Sequence, residues 1–400
     1  MSENETFTEV TEESWFDRLR SAIKGVATGL LFLVIALPLL FWNEGRAVRT
    51  ARGLEEGAGA VVPVKPDRLD PANEGKLIHA TGPATTHETL RDDLFGVSAA
   101  GIRLVRQVEM YQWKETRRTT HKKQGSKKVK VTTYDYEKVW SSEPIGSRAF
   151  KHEEGHENPA RMPYESKTFS AAKVALGAIE LPPSLVAKIG GARDLPVTSR
   201  MALGMEPRLA ARARLVGGGY YIGRWPSRPA VGDLRVRYRV VAPATVSVVA
   251  RQAGGTLAPF DTSTGSTIEL LQMGAVDAPT MFKTAQEGQR TLTWILRGVG
   301  LALLFFGLLL VFAPIAVVAD FVPVLGDLLQ FGVTAFAGAL AAVLGALTIG
   351  VAWIAYRPLL GIPLLVGAAG LIVGLKLLGH GRSHKGGQQD RPPRAALSNT

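Results

Sequence analysis

The sequence predicts an α+β membrane protein: four transmembrane α-helices, one N-terminal and three C-terminal, carrying a large β-rich extracytoplasmic domain. Three observations lead there. Apolar residues concentrate in Gly25–Trp42 and after Gly298. The runs 298–318, 331–356 and 359–378 reach or approach the roughly 20 apolar residues that cross a bilayer as a helix, and the first two contain no Asp, Glu, Lys or Arg. Lys376, at the end of the third, has a stem long enough to snorkel to the interface. Between the first apolar run and these three lie 255 residues, 43–297, ample for a folded domain.

Residues 1–24 form a cytoplasmic leader. Its first 13 residues are acidic and polar without apolar periodicity, which predicts disorder. Trp15, Phe16, Leu19 and Ile23 then share one helical face against Asp17, Arg18, Arg20 and Lys24, as in a short helix lying in the interface. Gly25–Trp42 is the first span, 18 residues and about 27 Å at 1.5 Å per residue. The long acidic leader, and a boundary of Phe41-Trp42-Asn43-Glu44 in place of small residues, count against a cleaved signal peptide.

Basic residues flanking the spans set orientation. The tail 379–400 holds Arg382, Lys385, Arg391 and Arg394, against Arg357 alone between the last two spans; the first span's flanks tie. The tail therefore predicts cytoplasmic termini. Four spans then bring Trp42, Trp294, Trp353 and Tyr356 to one external interface, as an aromatic belt.

Within the domain, Leu77–Thr81, Ile102–Trp113, Lys128–Ser141, Leu234–Val241, Thr245–Arg251 and Thr267–Leu271 read as strands separated by Gly- and Pro-rich turns. The second and third pair across Gln124-Gly125-Ser126. Asn43-Glu44-Gly45-Arg46 and Asn73-Glu74-Gly75-Lys76 read as turns. Lys167–Ile179 reads as a helix stopped by Pro182-Pro183, and Ala278–Leu296 as a helix feeding the second span.

Of 47 Lys/Arg and 35 Asp/Glu, nine of each lie outside 43–297, which leaves the domain with 38 against 26 and the whole net charge of +12. Such a domain beside a bilayer attracts anionic headgroups; the topology makes nucleic acid an unlikely class of partner and the lipid bilayer and other membrane proteins the expected ones. The densest basic segment is the hairpin of Lys114, Arg117, Arg118, Lys122, Lys123, Lys127, Lys128 and Lys130, with Glu115 its single acid. It is the candidate contact for lipid or a partner.

His152-Glu153-Glu154-Gly155-His156 spells the H-E-x-x-H of zinc peptidases, which needs both histidines on one turn of a stable helix. Gly155 inside the segment, Pro159 after it and polar surroundings predict a loop instead. Cysteine is absent, and no phosphate-binding loop, nucleophile elbow or dinucleotide fingerprint occurs. No catalytic, cofactor or metal residue is assigned, and the chain is read as a non-enzyme. Asp320 and Asp327 flank Pro323 in a turn between the second and third spans. They are read as a polar interfacial turn, with a cation-attracting mouth as the alternative. Gly25-xxx-Gly29, Ala341-xxx-Gly345 and Gly370-xxx-Gly374 put small residues on one helical face, which suits close packing within the chain or a homo-oligomer. Pro38 and Pro314 are expected to kink their helices.

Seven segments resemble the LUMA family, also called transmembrane protein 43. They are Asn43-Glu44-Gly45-Arg46-Ala47, Glu74-Gly75-Lys76-Leu77, Val108-Glu109-Met110-Tyr111-Gln112-Trp113 and Gly155-His156-Glu157-Asn158-Pro159. The others are Val231-Gly232-Asp233-Leu234-Arg235-Val236, Phe321-Val322-Pro323 with Gly326-Asp327-Leu328, and Tyr356-Arg357-Pro358-Leu359. They run in order from the first span to the last. The resemblance implies four spans, cytoplasmic termini and a lumenal domain. It also implies a scaffold that organises membrane protein complexes with lamins and emerin in the endoplasmic reticulum and inner nuclear membrane, with a cation-channel role as the alternative. The family's loop lacks the earlier histidine. The hairpin here is more basic and the tails do not match. The Ala-, Gly- and Arg-rich, cysteine-free composition suggests a bacterial relative, with inner membrane and periplasm in place of a nuclear envelope.

Overall fold

The computed structural model describes residues 5–12, 14–124, 127–319 and 323–357, with backbone alone at 121–124, 127, 128, 319, 323–328 and 330. It comprises two compact units. One is sheet-rich, Met1–Ser21 with Arg49–Thr291; the other is helical, Ala22–Val48 with Leu292–Thr400.

The elements, in chain order, begin with strand β1 (Glu5–Glu12), helix α1 (Trp15–Ala60) and strands β2 (Leu77–Thr85), β3 (Arg103–Gln124), β4 (Lys127–Ser141) and β5 (Lys167–Ser170). Helix α2 (Pro183–Lys188) precedes β6 (Arg193–Leu195), β7 (Ala213–Val216), β8 (Gly219–Ile222), β9 (Leu234–Val241), β10 (Ala244–Ala253) and β11 (Leu270–Met273). Helices α3 (Ala278–Ala319) and α4 (Pro323–Tyr356) complete the described chain.

In the helical unit, Ala36, Leu40, Asn43 and Glu44 of α1 recur at helical spacing and are all buried. The stripe is apolar until Leu40 and polar afterwards, so Asn43–Arg46 continues the helix and is not the turn its Gly suggested. The predicted interfacial helix is likewise the start of α1, capped by Ser14, whose hydroxyl accepts from Asp17 N at 3.2 Å. Leu304 and Leu308 of α3 and Ala337 and Ala341 of α4 close the core. A Cβ on Gly29 would sit 2.6 Å from the Gly307 carbonyl oxygen, so α1 and α3 meet backbone to backbone, as the Gly25-xxx-Gly29 spacing predicts. Pro38 and Pro314 both lie inside helices.

Three helices, Trp15–Ala60, Ala278–Val318 and Phe331–Tyr356, are long and apolar enough to cross a membrane. The predicted fourth span at 359–378, with Gly370, Gly374 and the basic tail, lies outside the described residues. So do Asp320 and the side chain of Asp327. The backbone at Asp327 is helical, because α4 starts at Pro323, well before Phe331; proline suits a first helical turn, where no N–H is needed.

The sheet-rich unit holds one eight-stranded sheet, ordered β1-β4-β3-β9-β8-β7, with β5 paired to β3 and β6 to β9. A seven-stranded sheet is built on antiparallel β2 and β10, Thr81 opposite Ser247, with β11 on the other side of β10. Alternation decides the faces: Leu234, Val236 and Tyr238 of β9 are buried, while Arg235, Arg237 and Arg239 between them point outward. Ile78, Val246 and Val248 of the second sheet share the core with Leu104, Val108 and Val236 of the first. Inside it Arg106 donates to both oxygens of Asp92 at 3.0 and 2.9 Å, and the Tyr238 hydroxyl donates to Asp92 Oδ2 at 2.6 Å. The buried pair is thereby fully hydrogen-bonded.

Three expectations are corrected here. The leader is not disordered at 5–12: β1 pairs antiparallel with β4 from Glu5↔Tyr136 to Glu12↔Val129. Lys167–Ile179 is not helical. β5 is drawn onto β3, Phe169 opposite Leu104, and Ala175–Leu176 turns back onto Ile179–Glu180 through Gly177 at φ +62°. Pro183 starts α2 instead of ending a helix. Finally, Thr267–Leu271 breaks at Glu269, whose carboxylate turns out to Ser184 (2.6 Å) and Lys188 (2.7 Å), and the halves join different sheets.

Candidate functional site

The motif residues gather in two clusters, one in each unit. In the helical unit Asn43, Glu44, Gly45 and Arg46 meet Thr293 and Arg297, four apart on α3, and Trp353 and Tyr356, three apart on α4; these spacings put each pair on one face. Glu44 is buried and its carboxylate is fully engaged. Arg297 Nε donates to Oε1 at 2.6 Å and Nη2 to Oε2 at 2.8 Å, while Trp353 Nε1 donates to Oε2 at 2.8 Å. Two parallel N–H···O bonds to one carboxylate are the strong geometry for guanidinium. Asn43 Nδ2 donates to the Thr293 carbonyl at 3.1 Å, and Arg46 Nη2 donates to Asn43 Oδ1 and to Thr293 Oγ1, both at 3.2 Å. Arg297 lies 4.7 Å over Trp294 and Arg46 6.0 Å over Trp42. A Cβ on Gly45 would lie 2.5 Å from Tyr356 Cζ, so the ring rests directly on the α1 backbone. The four aromatic residues assigned to one belt therefore surround one polar knot. Chemically it is a closed ion pair that ties three helices.

In the sheet-rich unit three motif segments form a joint at the root of the β3–β4 hairpin. Asn158 uses its amide as a strand would: Oδ1 accepts from Trp113 N at 2.8 Å, and Nδ2 donates to the Trp113 carbonyl at 2.8 Å and the Ile145 carbonyl at 3.1 Å. Tyr111 N donates to the Asp233 carbonyl and Gly232 N to the Tyr111 carbonyl, at 2.8 and 2.9 Å; Gly232 has φ +93°, a conformation that favours glycine. Pro159 packs where a Cβ on Gly232 would fall, 3.3 Å away. Asp233 Oδ2 accepts from Tyr221 OH at 2.6 Å, and Glu109 pairs with Arg235 at 2.7 Å.

His156 is buried, stacked 4.0 Å from Tyr136 and edge-on to Trp113 at 4.6 Å. Its Nδ1 lies 3.1 Å from the His152 carbonyl. The Tyr136 hydroxyl donates to Glu115 Oε2 at 2.5 Å and accepts from His152 N at 3.0 Å. Burial, then the Glu115 carboxylate, push the Tyr136 hydroxyl up to about 12. The H-E-x-x-H segment is a loop, with Gly155 at φ +82°, as predicted. Among the described residues no three His, Asp or Glu side chains are grouped to hold a metal.

Lys114, Arg117 and Arg118 are exposed on β3; Lys114 pairs with Glu137 at 3.1 Å, and Arg117 lies 5.9 Å over Tyr134. Lys130 lies opposite Thr11 of β1, and Lys123 opposite Lys128. Arg357 closes the last turn of α4 through its N–H to Trp353 O; Pro358 lies outside the described residues. Sequence reasoning missed Arg297. Arg297 stood at the mouth of an uncharged run, where a cation calls for a carboxylate. For β1 the missed signal was Thr6-Phe7-Thr8 with Val10-Thr11, residue types that favour strands.

Three apolar helices beside a domain of paired sheets define an integral membrane protein of α+β class. The Transmembrane protein 43 family profile matches residues 110–358. The chain is 35% identical to Transmembrane protein 43 of Mus musculus over 361 residues, 87% of this chain and 88% of that one. It is 35% identical to the Homo sapiens protein over 362 residues, with the same coverage. It is 30% identical to the Drosophila melanogaster homolog over 363 residues, 88% of this chain and 94% of that one. The chain belongs to the Transmembrane protein 43 family. No solved structure matches it.

Proposed function

We propose that the chain is a non-enzymatic, multi-pass membrane scaffold that organises membrane proteins or membrane structure. In this reading the helical unit is the anchor and the sheet-rich unit makes the contacts. The supporting observation is where charge is neutralised. Glu44 is consumed by Arg297 and Trp353 inside the helical unit, whereas Arg117 and Arg118 stand exposed along the hairpin. Buried charge that is paired acts as a fastener; exposed cations next to a bilayer act at a distance on headgroups and acidic partners. In this reading a fourth span at 359–378 leads to a cytoplasmic basic tail, and the sheet-rich domain is extracytoplasmic. The cysteine-free, Arg-rich composition supports a bacterial inner membrane with a periplasmic domain.

The test is photo-crosslinking in native membranes from probes placed along the hairpin, at the exposed Thr119 and Thr120. Discrete protein or lipid adducts support the proposal, and a hairpin that crosslinks nothing overturns it. Planar-bilayer recording of the purified oligomer addresses the channel reading: a steady cation conductance would replace scaffold with pore.

A further inference from the structure

A second basic surface lies away from the hairpin, and its chemistry is different. From Ser199 to Arg239 the chain holds nine arginines, no lysine and two acids, Glu206 and Asp233. The Asp233 carboxylate is already used by Tyr221 and Ala230 N. The register puts much of this on one face of the eight-stranded sheet. Arg214 of β7 lies opposite Tyr221 of β8, which lies opposite Arg235 of β9. Arg237 and Arg239 follow at alternate positions and are exposed. The Arg235 guanidinium lies 4.4 Å over Trp140, and those of Arg214 and Arg224 lie 6.0 and 5.8 Å from Trp225. Trp225 is 54% exposed and Val216 44%. A cleft of about 190 Å³ opens here, lined by Trp140, Tyr221, Pro226, Pro229, Arg235 and Arg237. Arg235 has Glu109 and Arg239 has Asp194 at 3.4 Å; among the described residues no carboxylate pairs with Arg214, Arg224 or Arg237.

We infer that this face is a docking surface for an anionic phospholipid bilayer, with the cleft taking a headgroup phosphate. Guanidinium is planar and less strongly hydrated than ammonium, and it binds phosphate through two N–H groups at once. A purely electrostatic contact with an acidic protein or a polynucleotide gives no role to the exposed Trp225 and Val216. A headgroup layer does, since indole and aliphatic groups settle at its apolar boundary while arginine holds the phosphates. The unit is tethered to a membrane protein's helices, so headgroups are present at high effective concentration. The inference rests on the membrane reading above but not on the hairpin.

The experiment uses the full chain, which has no cysteine, carrying Val216→Cys labelled with an environment-sensitive nitrobenzoxadiazole dye. It is reconstituted into nanodiscs of phosphatidylcholine alone or with 30% phosphatidylglycerol. The expected result is at least a twofold emission gain in the anionic discs, quenched by headgroup-proximal spin-labelled lipid and reversed by high salt. Arg214→Glu with Arg237→Glu, both at outward-facing positions, abolishes the gain. Equal emission in the two disc types overturns the inference, and that comparison needs no charge variant to fold. A gain that appears only on adding soluble polyglutamate overturns it too. Co-elution of the chain with the discs reports the membrane reading separately.

Discussion

Glu44 shows how one residue decides what the helical unit can do. A carboxylate shut among apolar helices is tolerable only when neutralised, and Arg297 with Trp353 supplies three N–H donors to it. Removing one partner strands the other charge, so Glu44→Ala or Arg297→Ala is expected to destabilise the unit by about 3–5 kcal/mol. The double variant should lose clearly less than the sum of the singles. Tryptophan-monitored melting of the detergent-solubilised chain reads both. Gly45 is constrained differently: a methyl there runs into Tyr356. Gly45→Ala should cost about 1–3 kcal/mol by overpacking, and adding Tyr356→Leu should recover most of it. In the sheet-rich unit, Asn158→Ala removes three hydrogen bonds at once and leaves the Trp113 backbone unsatisfied, a loss of about 2–3 kcal/mol.

Acid sensitivity also belongs to single residues. Glu88 accepts from Ala172 N and Lys173 N, which hold its carboxyl below the ordinary 4.5. The Thr280 hydrogen bonds do the same for Asp277 at the start of α3. A carboxyl lowered in the folded state stabilises that state above its unfolded value, and the contribution disappears as pH falls through the folded value. The sheet-rich unit should therefore lose stability below about pH 4.5, and Glu88→Gln should flatten that limb of a melting-temperature profile measured between pH 3 and 7.

Among the elements, those with a strong local period were legible. β9 was found at its observed ends because Leu, Val and Tyr alternate with Arg over seven of its eight residues. The apolar helices needed only length and absence of charge. Elements made by a distant partner were not legible. β5 lies in a segment read as helical, and it becomes a strand only because β3 offers an edge opposite Phe169. Asn43–Arg46 carries Asn and Gly and so spells a turn. It stays helical because its polar side chains find Thr293 and Arg297 instead of water. The clamp was half visible for the same reason: Glu44 and Trp353 were named, but their partner lies 253 positions from Glu44. At this scale β1 makes a sharp prediction. In the cysteine-free chain, Thr8→Cys with Thr133→Cys, directly opposite in register, should form an intramolecular disulfide on mild oxidation. A chain that stays reduced would contradict the leader's pairing with β4.

As a whole molecule the chain divides its chemistry. The helical unit consumes its strongest charges internally, and the sheet-rich unit displays cations on a hairpin and on one sheet face. Under the proposed function, the helical unit is the anchor and the sheet-rich unit the contact surface. The most direct test compares photo-crosslinking in native membranes from hairpin positions Thr119 and Thr120 with positions Val34 and Val343 on the exposed faces of the helices. Discrete adducts from the hairpin, lost when Lys114, Arg117 and Arg118 are reversed to Glu, are the predicted result. Adducts from the helices alone, with a silent hairpin, would contradict it.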